Sequence, residues 1–193
     1  MEIKRLAALT EDELLSLGEF GYMSMHQYEA IAESTADAFS IRLDLVQLNE
    51  PFVKQESNDG DDAVDYEKMA KLGYSFGMYD GGKLIALAIS EPQRWNNTLM
   101  IWHFQVHEHY KRQGCGTRLM EQVVESARRG GFRAVTLETQ NTNVAAVRFY
   151  RQCGFTIEGI DLSLYSNRDT GKEEVALFMR KKLERTERED VSR

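Results

Sequence analysis

The chain has 193 residues, enough for one domain with a single substantial core, or a domain with an appendage. Its formal net charge is -7, so it lacks the Lys and Arg surplus that neutralises phosphate, and no nucleic-acid partner is expected. The same charge says nothing against a small cationic ligand or a basic peptide, either of which an acidic surface would attract.

The opening stretch MEIKRLAALTEDELLSLGEF is charged throughout and has no continuous apolar run. Neither a signal peptide nor a membrane span is expected. The two cysteines, Cys115 and Cys153, fit a reducing cytoplasm better than a disulfide framework.

Thr10 can cap a helix that begins Glu11-Asp12-Glu13, and Glu13 stands at the capping-box spacing. Ser40 to Leu48 alternates apolar and polar residues and reads as a strand. Gln55 to Asp62 is acidic and polar and reads as a loop, with a short helix around Tyr66 to Leu72. Asp80-Gly81-Gly82 between two apolar segments is a hairpin signal. Thr98 to Val106 reads as a longer strand. The glycine-containing stretch Lys111 to Thr117 follows it, then a helix from Thr117 to Arg129.

That helix has an apolar stripe of Leu119, Val123, Val124 and Ala127, and Gly130-Gly131 ends it. Ala134 to Gln140 is a buried-type strand. Asn143 can cap a helix from Val144 to Gln152. Two last strands are expected around Phe155 to Leu162 and Glu174 to Lys181, before a charged, frayed tail at 182–193. The order predicts an α/β fold: a mixed sheet with helices on its faces.

Lys111-Arg112-Gln113-Gly114-Cys115-Gly116-Thr117 stands between a predicted strand and a predicted helix. Glycines admit a ligand close to the backbone, and the first N–H groups of a helix lack intrahelical partners, which suits a phosphate. The stretch is neither a Walker A loop nor a dinucleotide fingerprint. An ordinary strand-to-helix turn accounts for the glycines equally well.

The segment NTNVAAVRFYRQCGF lies one strand further on, with Asn143, Ala146, Phe149, Tyr150 and Gly154-Phe155. Together the two segments resemble the GNAT superfamily of acyl-CoA-dependent N-acetyltransferases. That family carries a Gln/Arg-x-x-Gly-x-Gly/Ala turn after its fourth strand. After its fifth it carries an Asn-x-x-Ala-x-x-Leu/Phe-Tyr-x-x-x-Gly-Phe helix. The second pattern fits throughout. The first fits from Gly114 onward, with Lys111 where Gln or Arg is usual. The stretch from Leu137 to Asn167 is similar to the corresponding part of streptothricin acetyltransferases. That closer likeness runs from about Tyr74 to Leu177 and is weak over the first seventy residues.

The resemblance implies a mostly antiparallel central sheet with a splayed parallel pair, residues 98–106 and 134–140. It implies one domain over 1–181, with 1–73 on the acceptor side, 74–181 as the acetyl-CoA-binding core and 182–193 as a tail. Acetyl-CoA is the implied co-substrate. Its pantetheine would pair with backbone near Gln105 and Val106. Its pyrophosphate would sit on Gln113, Gly114, Cys115, Gly116 and Thr117, beside Lys111 and Arg112. Asn143 and Ala146 would hold the pantetheine or the helix start. Tyr150 would protonate the departing thiolate, with Phe149 in the core. The implied acceptor is a primary amine on a small molecule. Exposed last strands in such folds often pair between subunits, so monomer and homodimer both stay open.

The base is less legible. Trp102 occupies the position where many relatives carry Glu, and Trp cannot accept the proton. Glu91 and Glu138 are the candidates, although Glu138 could instead pair with an Arg. Trp102 either packs in the sheet or stacks on a cation. His103, His107 and His109 do not make a metal site, and no metal is expected; His107 and His109 should face solvent. Cys115 reads as a small space-filling residue rather than a reactive thiol. Two other readings stay open: an acyl-CoA-binding module without catalysis, and an acetyltransferase acting on proteins or peptides.

Overall fold

A computed structural model describes residues 1–56, 60–167 and 174–184. The strands are β1 (Glu2–Arg5), β2 (Phe20–Ser34), β3 (Phe39–Glu56), β4 (Phe76–Asp80), β5 (Lys83–Gln93), β6 (Thr98–Val106), β7 (Ala134–Gln140), β8 (Thr156–Asp161) and β9 (Ala176–Lys182). The helices are α1 (Glu11–Ser16), α2 (Gly60–Ala70), α3 (Cys115–Arg129) and α4 (Val144–Gln152), with a short 3-10 turn at Glu108–Tyr110. Among the described residues, no helix is long and apolar enough to cross a membrane. The chain forms two compact units, and β7 and β9 run through both.

The first unit comprises Met1–Phe20, Ser57–Leu137 and Arg180–Arg193. Its strands run β1-β4-β5-β6-β7, antiparallel up to β6. Strands β6 and β7 are parallel, paired from Thr98↔Ala134 to Ile101↔Leu137, and the ladder stops there while β6 runs on to Val106. Every position of β5 from Leu84 to Ser90 is buried. Alternate side chains of a strand point to opposite faces, so both faces of β5 are covered.

One cover is a cluster of Leu6, Leu9, Leu14, Leu17 and Ala70 with Leu84, Leu87 and Ile89. Helix α1 reaches it because Thr10 caps the helix: its hydroxyl accepts the Glu13 N–H at 3.2 Å, and the Glu13 carboxylate accepts the Thr10 N–H at 3.1 Å. Helix α3 packs on β4, β5 and β6 through the expected Leu119, Val123, Val124 and Ala127, all buried.

The second unit comprises Gly21–Glu56 and Glu138–Met179. It holds a long antiparallel hairpin of β2 and β3, helix α4, and the edge strand β8 beside β9. Asn141 ties the hairpin down: its amide donates to the Tyr28 carbonyl at 2.8 Å, and its own carbonyl accepts the Tyr28 N–H at 2.9 Å.

Several expectations need correction. Strands β1 and β2 were not foreseen, and β3, starting one residue before the expected 40, runs on to Glu56, well past the expected end at 48. The acidic stretch 55–62 is not a loop: residues 55 and 56 close β3, residues 60–62 open α2, and 57–59 lie outside the described residues. Lys182 ends β9 rather than a frayed tail, and the Leu183 N–H donates to the Arg133 carbonyl at 2.9 Å. The rest of the expected tail, 185–193, lies outside the described residues.

Candidate active site

The turn after β6 is built by backbone choices. His107 caps the 3-10 turn, its Nδ1 accepting the His109 N–H at 3.2 Å. It is half-buried rather than solvent-facing, whereas His109 is exposed as expected. Arg112 and Gly114 then take left-handed φ values of 59° and 80°, which glycine accepts without strain and arginine does not. The Gln113 amide folds back to donate to the His109 carbonyl at 2.6 Å.

Helix α3 starts at Cys115, two residues earlier than the sequence suggested, so Cys115 and Gly116 belong to its first turn. Its first ladder bond runs from the Arg118 N–H to the Gly114 carbonyl at 3.0 Å. The N–H groups of Cys115, Gly116 and Thr117 therefore lie ahead of the ladder. Its N-cap residue, Gly114, has no side chain to cap this end, and no acidic residue stands in its first turn. Lys111, Arg112, Gln113 and Gly114 are exposed around it. A positive helix end without a carboxylate, flanked by two cations, suits an anion. Cys115 is buried and packs its sulfur 3.8 Å from the Met1 sulfur, the space-filling role expected of it.

On β6 a register shift separates two pairs: Ile89 faces His103 and Ser90 faces Ile101, so Trp102 is the extra residue of a bulge. The bulge falls where the parallel ladder with β7 ends. Gln105 turns its amide nitrogen to the Gly18 carbonyl at 3.1 Å. Its oxygen therefore accepts from His103 Nε2 at 3.1 Å, leaving His103 Nδ1 to accept the Tyr66 hydroxyl at 3.2 Å. The buried Gln105 side chain is thus committed inside the unit, and only its backbone can meet a ligand. His103 is buried in this chain of bonds, and among the described residues no group of His, Cys, Asp and Glu is arranged to hold a metal.

Trp102 is not packed in the sheet. It is 52% exposed, and its indole N–H donates to Glu91 Oε2 at 2.9 Å. The Gln93 amide donates to the same oxygen at 3.0 Å.

In the second unit, the Asn143 side chain caps α4, accepting the Ala146 N–H at 3.1 Å. This fixes the start of the helix that carries Tyr150 nearly two turns on. Tyr150 is buried against Phe155, while Phe149, expected in the core, is only half-buried. Burial holds the Tyr150 phenol well above its ordinary range, with the Cys153 and Glu138 charges adding to the rise. A phenol held protonated is suited to giving a proton to a departing thiolate.

The Tyr165 hydroxyl donates to the Glu138 carboxylate, and the Gln140 amide donates to the Tyr165 oxygen at 3.1 Å. Burial and the Glu138 bond raise the Tyr165 phenol as well. Beside them, Glu174 takes an ion pair from Lys54 at 2.9 Å and hydrogen bonds from Tyr22 at 3.0 Å and Thr142 at 3.1 Å. Tyr165, Tyr22 and Glu174 were not foreseen as site residues. Tyr165 lies within the stretch that carried the resemblance, but in a segment without periodicity, so nothing in its spacing marked it.

A glycine turn opening a helix after a strand, and a parallel strand pair with a capped helix bearing a buried tyrosine, are the geometry the two motifs foretold. The acetyltransferase (GNAT) family profile matches residues 42–155, more than half of the chain and both motifs. The chain belongs to the GNAT family. It is an N-acetyltransferase, and acetyl-CoA is its co-substrate.

Streptothricin acetyltransferase A of Bacillus subtilis (strain 168) is 31% identical over 132 residues, 68% of this chain and 74% of that protein. The ribosomal protein bS18-alanine N-acetyltransferase of Escherichia coli (strain K12) is 29% identical over 104 residues, 54% of this chain and 68% of that protein. Among solved structures, a Bacillus anthracis str. Ames protein, provisionally named a streptothricin acetyltransferase and crystallised with acetyl coenzyme A, superposes with TM-score 0.70. It is 22% identical and covers 94% of this chain and 99% of that one, a likeness of fold.

Proposed function

We propose that this GNAT enzyme acetylates a primary amine of a small cationic molecule, streptothricin being the leading candidate. The observation that carries the reading is the similarity to Bacillus subtilis streptothricin acetyltransferase A, which extends over most of that relative's length. The net charge of -7 supports a cationic acceptor.

In this reading the polypeptide is one catalytic domain, with residues 1–73 on the acceptor side and 74–181 holding acetyl-CoA. The N–H groups of Gln113 to Thr117, with Lys111 and Arg112, hold the pyrophosphate. The backbone at Gln105 and Val106 and the start of α4 at Asn143 and Ala146 hold the pantetheine arm. A backbone N–H of β6 polarises the thioester carbonyl. Glu138 takes the ammonium proton through the Tyr165 hydroxyl, which passes its own hydrogen to the carboxylate as it accepts one. The amine nitrogen then bonds to the acetyl carbon, the carbon–sulfur bond breaks, and Tyr150 gives its proton to the sulfur. Tyr150 and Glu138 return to their starting states by exchange with solvent. Positioning of the two substrates supplies much of the acceleration.

A second reading, acetylation of a protein or peptide N-terminus, is favoured by the similarity to the bS18-alanine N-acetyltransferase. Competition separates the two. Streptothricin, other aminoglycosides, polyamines and basic peptides are offered together with limiting acetyl-CoA, and the products are identified by mass. Acetyl-streptothricin as the dominant product supports the first reading; acetyl-peptide as the dominant product replaces it with the second.

A further inference from the structure

We infer that Glu91 and Trp102 form a cation-binding subsite, which takes an ammonium or guanidinium group of the acceptor other than the amine being acetylated. The inference rests on the reading of this enzyme as one that acts on cationic amines.

The Glu91 carboxylate has two donors, the Trp102 indole N–H and the Gln93 amide, and both are neutral and both meet Oε2. No Lys or Arg among the described residues pairs with it, and its other oxygen has no hydrogen bond. A half-buried carboxylate solvated by neutral donors on one oxygen keeps its charge available for a cation at the other.

Trp102 supplies the second half. A bulge removes it from the regular alternation of β6, and its ring is 52% exposed. The indole N–H lies in the ring plane, so its bond to Glu91 anchors the ring by the edge. The faces are left for a cation. Carboxylate and indole face together select positive charge over neutral polar groups. This also accounts for a tryptophan where many relatives carry glutamate: the residue reads charge here instead of moving a proton. The acceptors so favoured are polycations, with one amine for the chemistry and another cationic group for the subsite.

The test compares wild type, Glu91→Gln, Trp102→Leu and Trp102→Phe. Gln keeps the acceptor oxygen for Trp102 and Gln93 and removes only the charge. Phe keeps a ring face and loses the N–H. Steady-state rates are measured with streptothricin, spermidine and a lysine-rich peptide, and with a monoamine of similar reactivity.

Expected is a rise in KM for the polycations of about tenfold or more in Glu91→Gln and Trp102→Leu, outweighing any fall in kcat. The KM for acetyl-CoA and that for the monoamine should hold, and Trp102→Phe should recover part of the loss. Raising the salt should weaken polycation binding in wild type and do so less in Glu91→Gln. Unchanged polycation KM values in both variants would overturn the subsite. So would a fall in kcat alone with a displaced acid limb of the pH profile, which would make Glu91 the base.

If streptothricin is not turned over but spermidine or the peptide is, the proposed acceptor fails while the subsite is still judged on the active one. If none is turned over, calorimetric titration of streptothricin and spermidine decides. Weaker binding to Glu91→Gln than to wild type upholds the subsite, whereas equal binding or no binding overturns it.

Discussion

Tyr165 donates its hydroxyl hydrogen to the Glu138 carboxylate, and Gln140 donates to the Tyr165 oxygen from two residues further along the same strand as Glu138. The Glu138 charge also reaches Tyr150, whose phenol it helps hold protonated. Within one unit, a carboxylate able to take a proton and a phenol able to give one thus influence each other.

The first prediction concerns that pair. Tyr165→Phe removes one hydrogen-bond donor from Glu138 and breaks the proposed route for the amine proton. The kcat should fall roughly ten- to a hundredfold, at the lower end of general-base effects. The KM for acetyl-CoA should stay within about twofold, since no pyrophosphate contact changes. Rates across pH 6 to 9 check it. A wild-type profile in the variant would remove Tyr165 and Glu138 from the mechanism.

The second concerns the turn. At Gly114 an added Cβ would meet no atom within 4 Å, so Gly114→Ala is opposed only by the left-handed φ of 80°. The cost should be about 1 kcal/mol, read as a small loss in denaturant midpoint. Replacing Lys111 and Arg112 together by Gln should raise the KM for acetyl-CoA about tenfold, while leaving turnover of S-acetyl-pantetheine, which has no pyrophosphate, nearly unchanged. Equal losses with both thioesters would remove the pyrophosphate from this turn.

The third concerns alkaline stability. Burial, with the charge and hydrogen bond of Glu13, pushes the Tyr79 phenol up from 10.0 to about 12. The folded state therefore holds this proton more tightly than the unfolded chain does. The associated stability is fully present below pH 10 and is lost as the pH rises from 10 toward 12. Urea unfolding between pH 8 and 11.5 should show a plateau and then a decline. Tyr79→Phe should make the decline shallower, and an identical slope in that variant would contradict the assignment.

Legibility in the sequence followed the range of the interactions. Helix α1 could be read because its capping box is local, with Thr10 and Glu13 three residues apart. Helix α4 could be read because Asn143 caps it and its spacing matches a known motif. Strand β2 could not. Its sequence leaves Met23 and Met25 exposed, so its alternation is faint, and its order comes from pairing with β3. Gly21 shows how tight that pairing is: a Cβ there would stand 2.4 Å from the Lys54 carbonyl oxygen.

Among the candidate site residues, Tyr150 and the glycine turn stand out in the sequence because they belong to spaced motifs, while Glu138 lies in neither motif and reads only as a candidate base. Tyr165 and the Trp102–Glu91 bond do not stand out. The first depends on an irregular segment returning to β7, and the second on a bulge that periodicity cannot reveal.

The most direct test of the account is a thiol-release assay with acetyl-CoA and streptothricin, comparing wild type with Tyr150→Phe. The variant keeps the ring that packs on Phe155, so thermal unfolding should confirm an intact fold. The account predicts streptothricin-dependent release by wild type and a loss in kcat of about 10²- to 10⁴-fold in the variant. The KM for acetyl-CoA should be nearly unchanged. Release at the wild-type rate by Tyr150→Phe, or no streptothricin-dependent release by wild type while a basic peptide is acetylated, would contradict it.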